Sequence, residues 1–461
     1  MECQRWIIFL KTKNEIVLED RENQEWVYLY NYYVAEKNVA ESLIALDNYL
    51  NVKEISNFEK KLKKIEKHSD LELSEKQREA VIAVQEHNVC VITGGPGTGK
   101  TTIIKTIIEM YKQEEKKVVL CAPTGRAAKR MSEATGEEAK TLHRLLEIGK
   151  TSSDELQNID PNVEVAPLDA DVIIVDEVSM VDIFLMNYLL QAIYKGTKLV
   201  LVGDSNQLPS VGPGNVLKDI IQSERLTTIT LNKIFRQAAK SKIILNSHKV
   251  NEGISIFSKD EQNENEELLE DFFFINETNK LKVLENIISL CTGRLEKYGN
   301  YTFAQNIQVI SPTKKGELGT KELNKSLQQA INPESEEKNE RKYIDSVFRE
   351  GDRIMQIKNN YDIYWEKREP TLEMGKGVFN GEYGTILNID EVEKKVKIKF
   401  DDDKLVWYNF DELEQIEHSY CITVHKAQRK RVRCSYYANS TGCANVTYSY
   451  IAIHCNDKSK K

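Results

Sequence analysis

Eight residues in a row, Gly94-Gly95-Pro96-Gly97-Thr98-Gly99-Lys100-Thr101, satisfy G-x-x-x-x-G-K-[ST] at every position. Glycines at this spacing let the backbone wrap back on itself, so that its N–H groups converge on phosphate oxygens. Lys100 would neutralise β/γ-phosphate charge, the Thr101 hydroxyl would hold Mg²⁺, and Thr102 follows in the same first helical turn. Asp176-Glu177 supplies complementary chemistry. Asp176 could hold the ion's outer shell and Glu177 could orient or deprotonate an attacking water. Gln207 could sense the γ-phosphate. Arg236, after the apolar anchor Ile234-Phe235, reads as a second sensor or as a surface ion pair. Gln77, ahead of the loop, reads either as a capping partner of Ser74 or as an adenine-edge contact, because an amide donates and accepts at once.

These residues need elements to hold them. Val89-Cys90-Val91-Ile92 reads as a buried parallel strand running into the glycines, and Thr102–Ile108 as the helix leaving them. Val118–Ala122, Asp171–Glu177 and Lys198–Asp204 are further strands of the same kind. In a doubly wound sheet their carboxyl ends gather at one edge beside the phosphate loop. Pro123-Thr124-Gly125-Arg126 turns into a basic helix, and Thr141-Leu142-His143-Arg144 offers a second polar surface.

The chain has 461 residues, 40% hydrophobic and 30% charged, with a formal net charge of −8. That length allows two to four domains. No apolar run reaches the roughly 18 residues of a membrane span, and the start is charged too soon for a signal peptide, so the expected location is cytoplasmic. The eight cysteines form no C-x-x-C pair, so neither zinc nor a disulfide framework is expected. The acidic balance argues against a protein coated in nucleic acid but leaves room for a local basic channel.

Taken together, Gly94–Thr101, Ala122–Lys129, Asp176-Glu177-Val178-Ser179-Met180, Gly203–Pro209 and Ile234-Phe235-Arg236-Gln237 resemble, in order and spacing, a RecD-type superfamily 1 DNA helicase. The run GDSNQLPSVGPG from Gly203 is close to a signature of that family. The resemblance implies an α/β fold with two RecA-like P-loop motor domains and an SH3-like β-barrel inserted in the second. It divides the chain into an N-terminal accessory remnant (1–70), a first motor domain (71–235), the first part of a second (236–345), the barrel (346–412), a return strand (413–428) and a tail (429–461). The start at Met1 is abrupt for such a protein, which suggests missing sequence in front.

The resemblance further implies ATP and Mg²⁺ as ligands, with Gln77 on adenine. Gly94, Gly95, Pro96, Gly97, Thr98, Gly99, Lys100, Thr101 and Thr102 would surround the phosphates. Lys100, Asp176, Glu177, Gln207 and Arg236 would be catalytic. Single-stranded and forked DNA would be the partner, contacted by Pro123, Thr124, Gly125, Arg126, Thr141, His143, Arg144, Thr313, Thr423, His425 and Lys426. A monomer moving 5′→3′ is implied. The alternative is an inactive ATP- and DNA-binding fragment.

The pattern breaks after Gln428. The family continues Gly-Ser-Glu and ends with a Thr-Arg-Ala-Lys segment whose arginine reaches the γ-phosphate. Here Arg429-Lys430-Arg431-Val432-Arg433 follows, and the tail offers no dependable helix or strand period. Back-translated and read one base later, Arg429–Arg433 can yield Gly-Ser-Glu-Phe-Asp, and Ile453–Lys460 can yield Tyr-Thr-Ala-Met-Thr-Arg-Ala-Lys. One extra base near codon 428 is therefore expected, with loss of the last strand and helix and weak helicase activity.

Overall fold

The computed structural model describes residues 2–21, 23–49, 58–68, 72–148, 161, 163, 165–233, 241–256, 271–277, 279–295, 297, 307–368, 372–427, 434–440 and 449–455. Two compact units result: Met1–Ala239 with Asn251–Gly253, and Lys240–Val250 with Ile254–Lys461.

The first unit contains α1 (Glu2–Thr12), β1 (Ile16–Arg21), β2 (Gln24–Leu29), α2 (Tyr30–Asp47), α3 (Phe58–His68), α4 (Glu75–Glu86), β3 (Val89–Gly94) and α5 (Lys100–Gln113). It continues with β4 (Val118–Ala122), α6 (Gly125–Thr135), β5 (Ala139–Thr141), α7 (Leu142–Leu145), β6 (Val172–Val175), α8 (Ile183–Gln191), β7 (Lys198–Gly203), α9 (Val216–Gln222) and β8 (Thr227–Leu231). Six strands form one parallel sheet in the order β5-β4-β6-β7-β3-β8. The four central strands, β4, β6, β7 and β3, are largely apolar on both faces, as a sheet covered on both sides requires. Cys90, Ile92, Ile174 and Val202 meet α4 and α5 on one face, while Val89, Val91, Val175 and Leu201 meet α2 and α8 on the other.

The N-terminal residues are less separable than their sequence suggests. Val39, Leu43 and Leu46 of α2 lie in one face's core, and Leu62 and Ile65 of the lysine-rich α3 lie in the other's. The Val89 amide donates to Asp47 Oδ1 at 3.0 Å. Burial of the apolar stripe of each helix explains why this segment belongs to the first unit.

In the second unit β9 (Phe272–Glu277) and β10 (Ile307–Ser311) belong to a five-stranded sheet, with helices Lys280–Ser289 and Thr320–Ile331 packed on it. Then come a hairpin, β11 (Glu340–Tyr343) and β12 (Ser346–Arg349), and seven antiparallel strands: β13 (Arg353–Gln356), β14 (Asn360–Lys367), β15 (Glu373–Val378), β16 (Tyr383–Asp390), β17 (Lys395–Phe400), β18 (Leu405–Asn409) and β19 (Ile416–His418). Their order is β15-β14-β18-β17-β16-β13-β19, around a core that includes Ile354, Ile386, Ile398 and Tyr408. This sheet thus takes in Ile416–His418, beyond the boundary at 412 expected from sequence, because β19 pairs antiparallel with β13.

The chain returns to the five-stranded sheet as β20 (Cys421–Thr423), β21 (Cys434–Ser440) and β22 (Ser449–Cys455), giving the order β20-β10-β21-β22-β9. The tail therefore does form strands, contrary to the expectation from its sequence. β21 runs parallel to β10 and β22 runs antiparallel to both β21 and β9. Tyr- and Ile-containing segments beside an otherwise unpaired edge of β10 are sufficient reason.

One buried carboxylate ties the seven-stranded sheet to its neighbours in this unit. Asp352 is fully buried. Its oxygens accept hydrogen bonds from Asn332 Nδ2 at 2.7 Å, Tyr420 Oη at 2.9 Å, Gln328 Nε2 at 2.6 Å and the Arg349 amide at 2.8 Å. His418 Nε2 lies 3.0 Å from Oδ2. Burial alone would raise the Asp352 pKa, but His418 and the amide donors outweigh it and hold the pKa below the ordinary carboxylate value. A depressed folded-state pKa means the stabilisation is complete above the unfolded value, about pH 4, and is lost as pH falls through the folded value. Asp352→Asn should destabilise the second unit by about 3–5 kcal/mol at pH 7. Denaturant unfolding followed at pH 7 and in acid should show the gap between wild type and variant closing as pH falls.

Candidate nucleotide and nucleic-acid sites

Because all six strands of the first sheet are parallel, their carboxyl ends share one edge. Across that edge the order is Thr141 after β5, Pro123–Arg126 after β4, Asp176-Glu177 after β6, Asp204–Gln207 after β7 and Gly94–Thr101 after β3. Strands spaced at about 4.8 Å put the ends of β6 and β3 roughly 10 Å apart, room for a phosphate group between their loops.

The phosphate loop is held from several sides. Gly97 and Gly99 have φ of 77° and 83°, in the left-handed region, and Gly99 is the N-cap of α5. Gly94 has no room for a side chain: a Cβ there would lie 2.8 Å from Thr98 Oγ1 and 2.9 Å from both Cβ and O of Leu231. Thr98 Oγ1 donates to the Gly95 carbonyl at 2.9 Å. The Lys100 ammonium lies over the loop, donating to the carbonyls of Gly94 and, at 3.1 Å, Gly95. The first turn of α5 contains no acid, so its free N–H groups and dipole favour an anion.

Gln77 is almost wholly buried. Its Oε1 accepts from the Ser74 amide at 2.9 Å, completing a capping box, and its Nε2 donates to the Thr98 carbonyl at 3.4 Å. The capping role is thus realised, and the same amide joins the start of α4 to the phosphate loop.

Asp176 and Glu177 leave the buried end of β6. The Asp176 amide donates to the Cys121 carbonyl at 2.9 Å, and Asp176 Oδ1 accepts from the Glu177 amide at 2.8 Å. Glu177 has φ of 58°, a left-handed conformation unfavourable for a residue with a Cβ. Its neighbours impose it. Gly203 packs so closely that a Cβ there would lie 3.3 Å from the Ser179 amide nitrogen, 3.4 Å from that of Val178 and 2.7 Å from Leu217 Cδ2. Strain of this kind is held where surrounding packing over-determines the backbone.

The loop after β7 is tied to both sides. Asp204, buried, accepts from the Asn206 amide at 3.0 Å and from Gln207 Nε2 at 3.4 Å. Thr93 Oγ1 donates to Ser205 Oγ and accepts from the Ser205 amide, each at 3.3 Å. Thr93 and Ser205 escape the sequence reading, although a lone threonine ending an apolar strand was a visible signal. Arg236 lies outside the described residues.

Thr124 and Thr141 are helix N-caps, accepting from the amides of Ala127 at 3.5 Å and Arg144 at 3.1 Å. β4 and β5 pair Ala122 with Thr141, so Pro123–Arg126 and Thr141–Arg144 form one surface. A Cβ at Gly125 would lie 3.9 Å from Thr141 Cγ2, an ordinary van der Waals contact across that surface. In the second unit β10 pairs Ser311 with Thr423, so the segments carrying Thr313 and Thr423–Lys426 leave neighbouring strand ends. Lys426 there is ion-paired with Glu417, and its amide donates to Thr423 Oγ1 at 3.4 Å.

The first unit is an α/β domain with a parallel sheet of the P-loop type, and the AAA domain family matches residues 77–213. The SH3 domain of ATP-dependent RecD-like DNA helicases matches residues 323–400. The ATP-dependent RecD2 DNA helicase of Deinococcus radiodurans is 33% identical over 356 residues, 77% of this chain and 44% of that protein. The RecBCD enzyme subunit RecD of Buchnera aphidicola subsp. Schizaphis graminum is 30% identical over 471 aligned positions, 87% of this chain and 73% of that subunit. The chain belongs to the RecD-like helicase family. It spans less than half the length of the Deinococcus relative. Among solved structures, one of two Pif1 helicases at forked dsDNA aligns at 17% identity over 80% of this chain and 86% of that one, with a TM-score of 0.42. Among the described residues no helix is long and apolar enough to cross a membrane.

The close packing at Gly94 gives a direct check. Gly94→Ala should destabilise the first unit by about 1–3 kcal/mol through overpacking. Gly136→Asn, at a left-handed helix cap with open space, should change it by under about 1 kcal/mol. Thermal unfolding of the two variants measures the difference.

Proposed function

We propose that the chain is a DNA-stimulated ATPase of the RecD-like helicase type, binding ATP on the first unit and single-stranded DNA along both units. The observation that carries this reading is the shared carboxyl edge of the first sheet, where phosphate loop, paired acids and candidate strand contacts stand in consecutive positions. The close packing at Gly94, which folds the loop back on Thr98, and the left-handed turns at Gly97 and Gly99 suit a backbone cradle for phosphate. Thr101 and Asp176, hard oxygen donors after β3 and β6, suit Mg²⁺, and among the described residues no cluster of three or more His, Cys, Asp or Glu offers an all-protein metal cage. That fits an ion held mostly by nucleotide phosphates and water. When bound, Mg²⁺ supplies charge neutralisation of the phosphates.

Lys100 shifts from the loop carbonyls to β/γ-phosphate oxygens. Glu177, fixed by its left-handed backbone, takes a proton from the attacking water or orients it. Gln207, on the loop held by Asp204 and by Thr93–Ser205, reads the γ-phosphate together with Arg236. Gln77 meets adenine with the hydrogen-bonding capacity its cap leaves. Pro123–Arg126, Thr141–Arg144, Thr313 and Thr423–Lys426 hold the strand mainly through phosphates, with little base preference. The family resemblance supports 5′→3′ movement by a cytoplasmic monomer on single-stranded and forked DNA.

Turnover in this chain is the weak point, and the tail is the reason. It contains no Thr-Arg-Ala-Lys, and an arginine at transition-state charge is worth about 10³–10⁵ in rate. One extra base near codon 428 accounts for the loss. This chain then binds ATP and DNA, hydrolyses ATP slowly and separates strands poorly.

Three proteins test the reading. Lys100→Ala should lose binding of a fluorescent ATP analogue. Glu177→Gln should keep binding but hydrolyse ATP about 10²–10⁴-fold more slowly than the parent. Deleting one base at codon 428 should raise strand displacement by about 10³-fold or more. ATP binding that survives Lys100→Ala would refute the nucleotide site, and displacement unchanged by the deletion would refute the account of the tail.

A further inference from the structure

The outer face of the seven-stranded sheet carries a row of side chains that the motor chemistry leaves unused. Tyr364 on β14 is 65% exposed and Trp407 on β18 is 42% exposed. β14 pairs Trp365 with Val406 and Glu366 with Leu405, a register that sets Tyr364 opposite Trp407. Side chains so placed have Cβ atoms about 5 Å apart. On the outer flanks, β15 sets Lys376 across from Tyr364 and β17 sets Lys397 across from Trp407. Lys376-Tyr364-Trp407-Lys397 therefore crosses four neighbouring strands, a width of about 14 Å.

The pleat fixes this face. Ile363, Val406, Tyr408, Val396 and Ile398 take the alternate positions and fill the core. Each lysine folds over its neighbouring ring, with Nζ 4.5 Å from the Tyr364 centroid and 5.2 Å from that of Trp407. Among the described residues neither lysine is ion-paired with a carboxylate, whereas Lys395 and Lys399 on β17 are paired with Glu393 and Asp403. Of the acids near the row on β14, Glu366 is held by Arg368 at 2.8 Å, and Asp362 attracts Lys376 without an ion pair, while the Lys376 ammonium hydrogen-bonds Tyr364.

Two exposed rings bracketed by two cations that form no ion pair with a carboxylate among the described residues make the side-chain set that takes single-stranded nucleic acid: rings stack on bases and ammonium groups meet phosphates. Base stacking on a ring is stronger than an exposed cation–π contact. A base can therefore displace each lysine from its ring and leave it free to pair with the adjoining phosphate. We propose that this face is a stacking platform for single-stranded DNA, additional to the strand contacts at the ends of β4, β5, β10 and β20. The proposal rests on the reading that the chain acts on DNA.

The test uses the full chain and a single-stranded oligonucleotide carrying 5-iododeoxyuridine. Photo-crosslinks should map to Tyr364 and Trp407. Tyr364→Ala with Trp407→Ala should weaken oligonucleotide binding about tenfold or more, with unchanged melting temperature and unchanged binding of an ATP analogue. Lys376→Gln with Lys397→Gln should lower the salt dependence of binding by a slope of about 1.4. Crosslinks confined to the other strand contacts, with native affinity in the double alanine variant, would overturn the platform and leave the motor reading standing; a face that serves a protein partner would give this result. Crosslinks at the two rings without DNA-stimulated ATP hydrolysis would uphold the platform and overturn the motor reading. No crosslinks and no binding would overturn both.

Discussion

Adjacent parallel strands can place their ends at one edge only if the loops leaving them can pack against each other. Here that constraint falls on Gly94 and Gly203. A Cβ at Gly94 would press into Thr98 and Leu231, and one at Gly203 would press into Leu217 and approach the Val178–Ser179 backbone. The missing side chain at Gly94 lets the phosphate loop fold against β8, and the one at Gly203 lets the end of β7 close on the loop after β6. Thr93 and Ser205 then link the ends of β3 and β7. Glu177 is left in a left-handed conformation that only such packing maintains. The site's geometry is therefore a property of strand ends rather than of any one motif.

The second unit solves a different problem, that of inserting an antiparallel sheet into an α/β layer without loosening either. Asp352 stands at the junction, receiving donors from helix Thr320–Ile331, from the turn after β12 and from the return segment at His418 and Tyr420. A carboxylate in that position costs desolvation, and only a full set of donors offsets it. The result is a joint in which loss of any one donor leaves a buried carboxylate under-satisfied.

Much of this was legible in the sequence because it rests on local patterns. β3, β4, β6 and β7 are short apolar runs, and the phosphate loop needs glycines at fixed spacing. The fold class followed from those, and the motif order pointed to the family. What sequence hid was set by distant packing. The amide of Gln77 could serve a cap or a base, and only the positions of Ser74 and Thr98 show that the cap is formed. The α3 helix looked solvated because its many lysines mask two buried apolar residues, Leu62 and Ile65. Strands β21 and β22 carry no period strong enough to read alone, and they form beside an edge that β10 would otherwise leave unpaired.

All of these features converge on the claim that the first sheet's carboxyl edge is an ATP site whose activity answers to DNA. The most direct measurement is steady-state ATP hydrolysis by the unmodified chain with and without a single-stranded oligonucleotide. The account predicts slow hydrolysis that rises when the oligonucleotide is added. A hydrolysis rate indifferent to DNA at saturating ATP would contradict it.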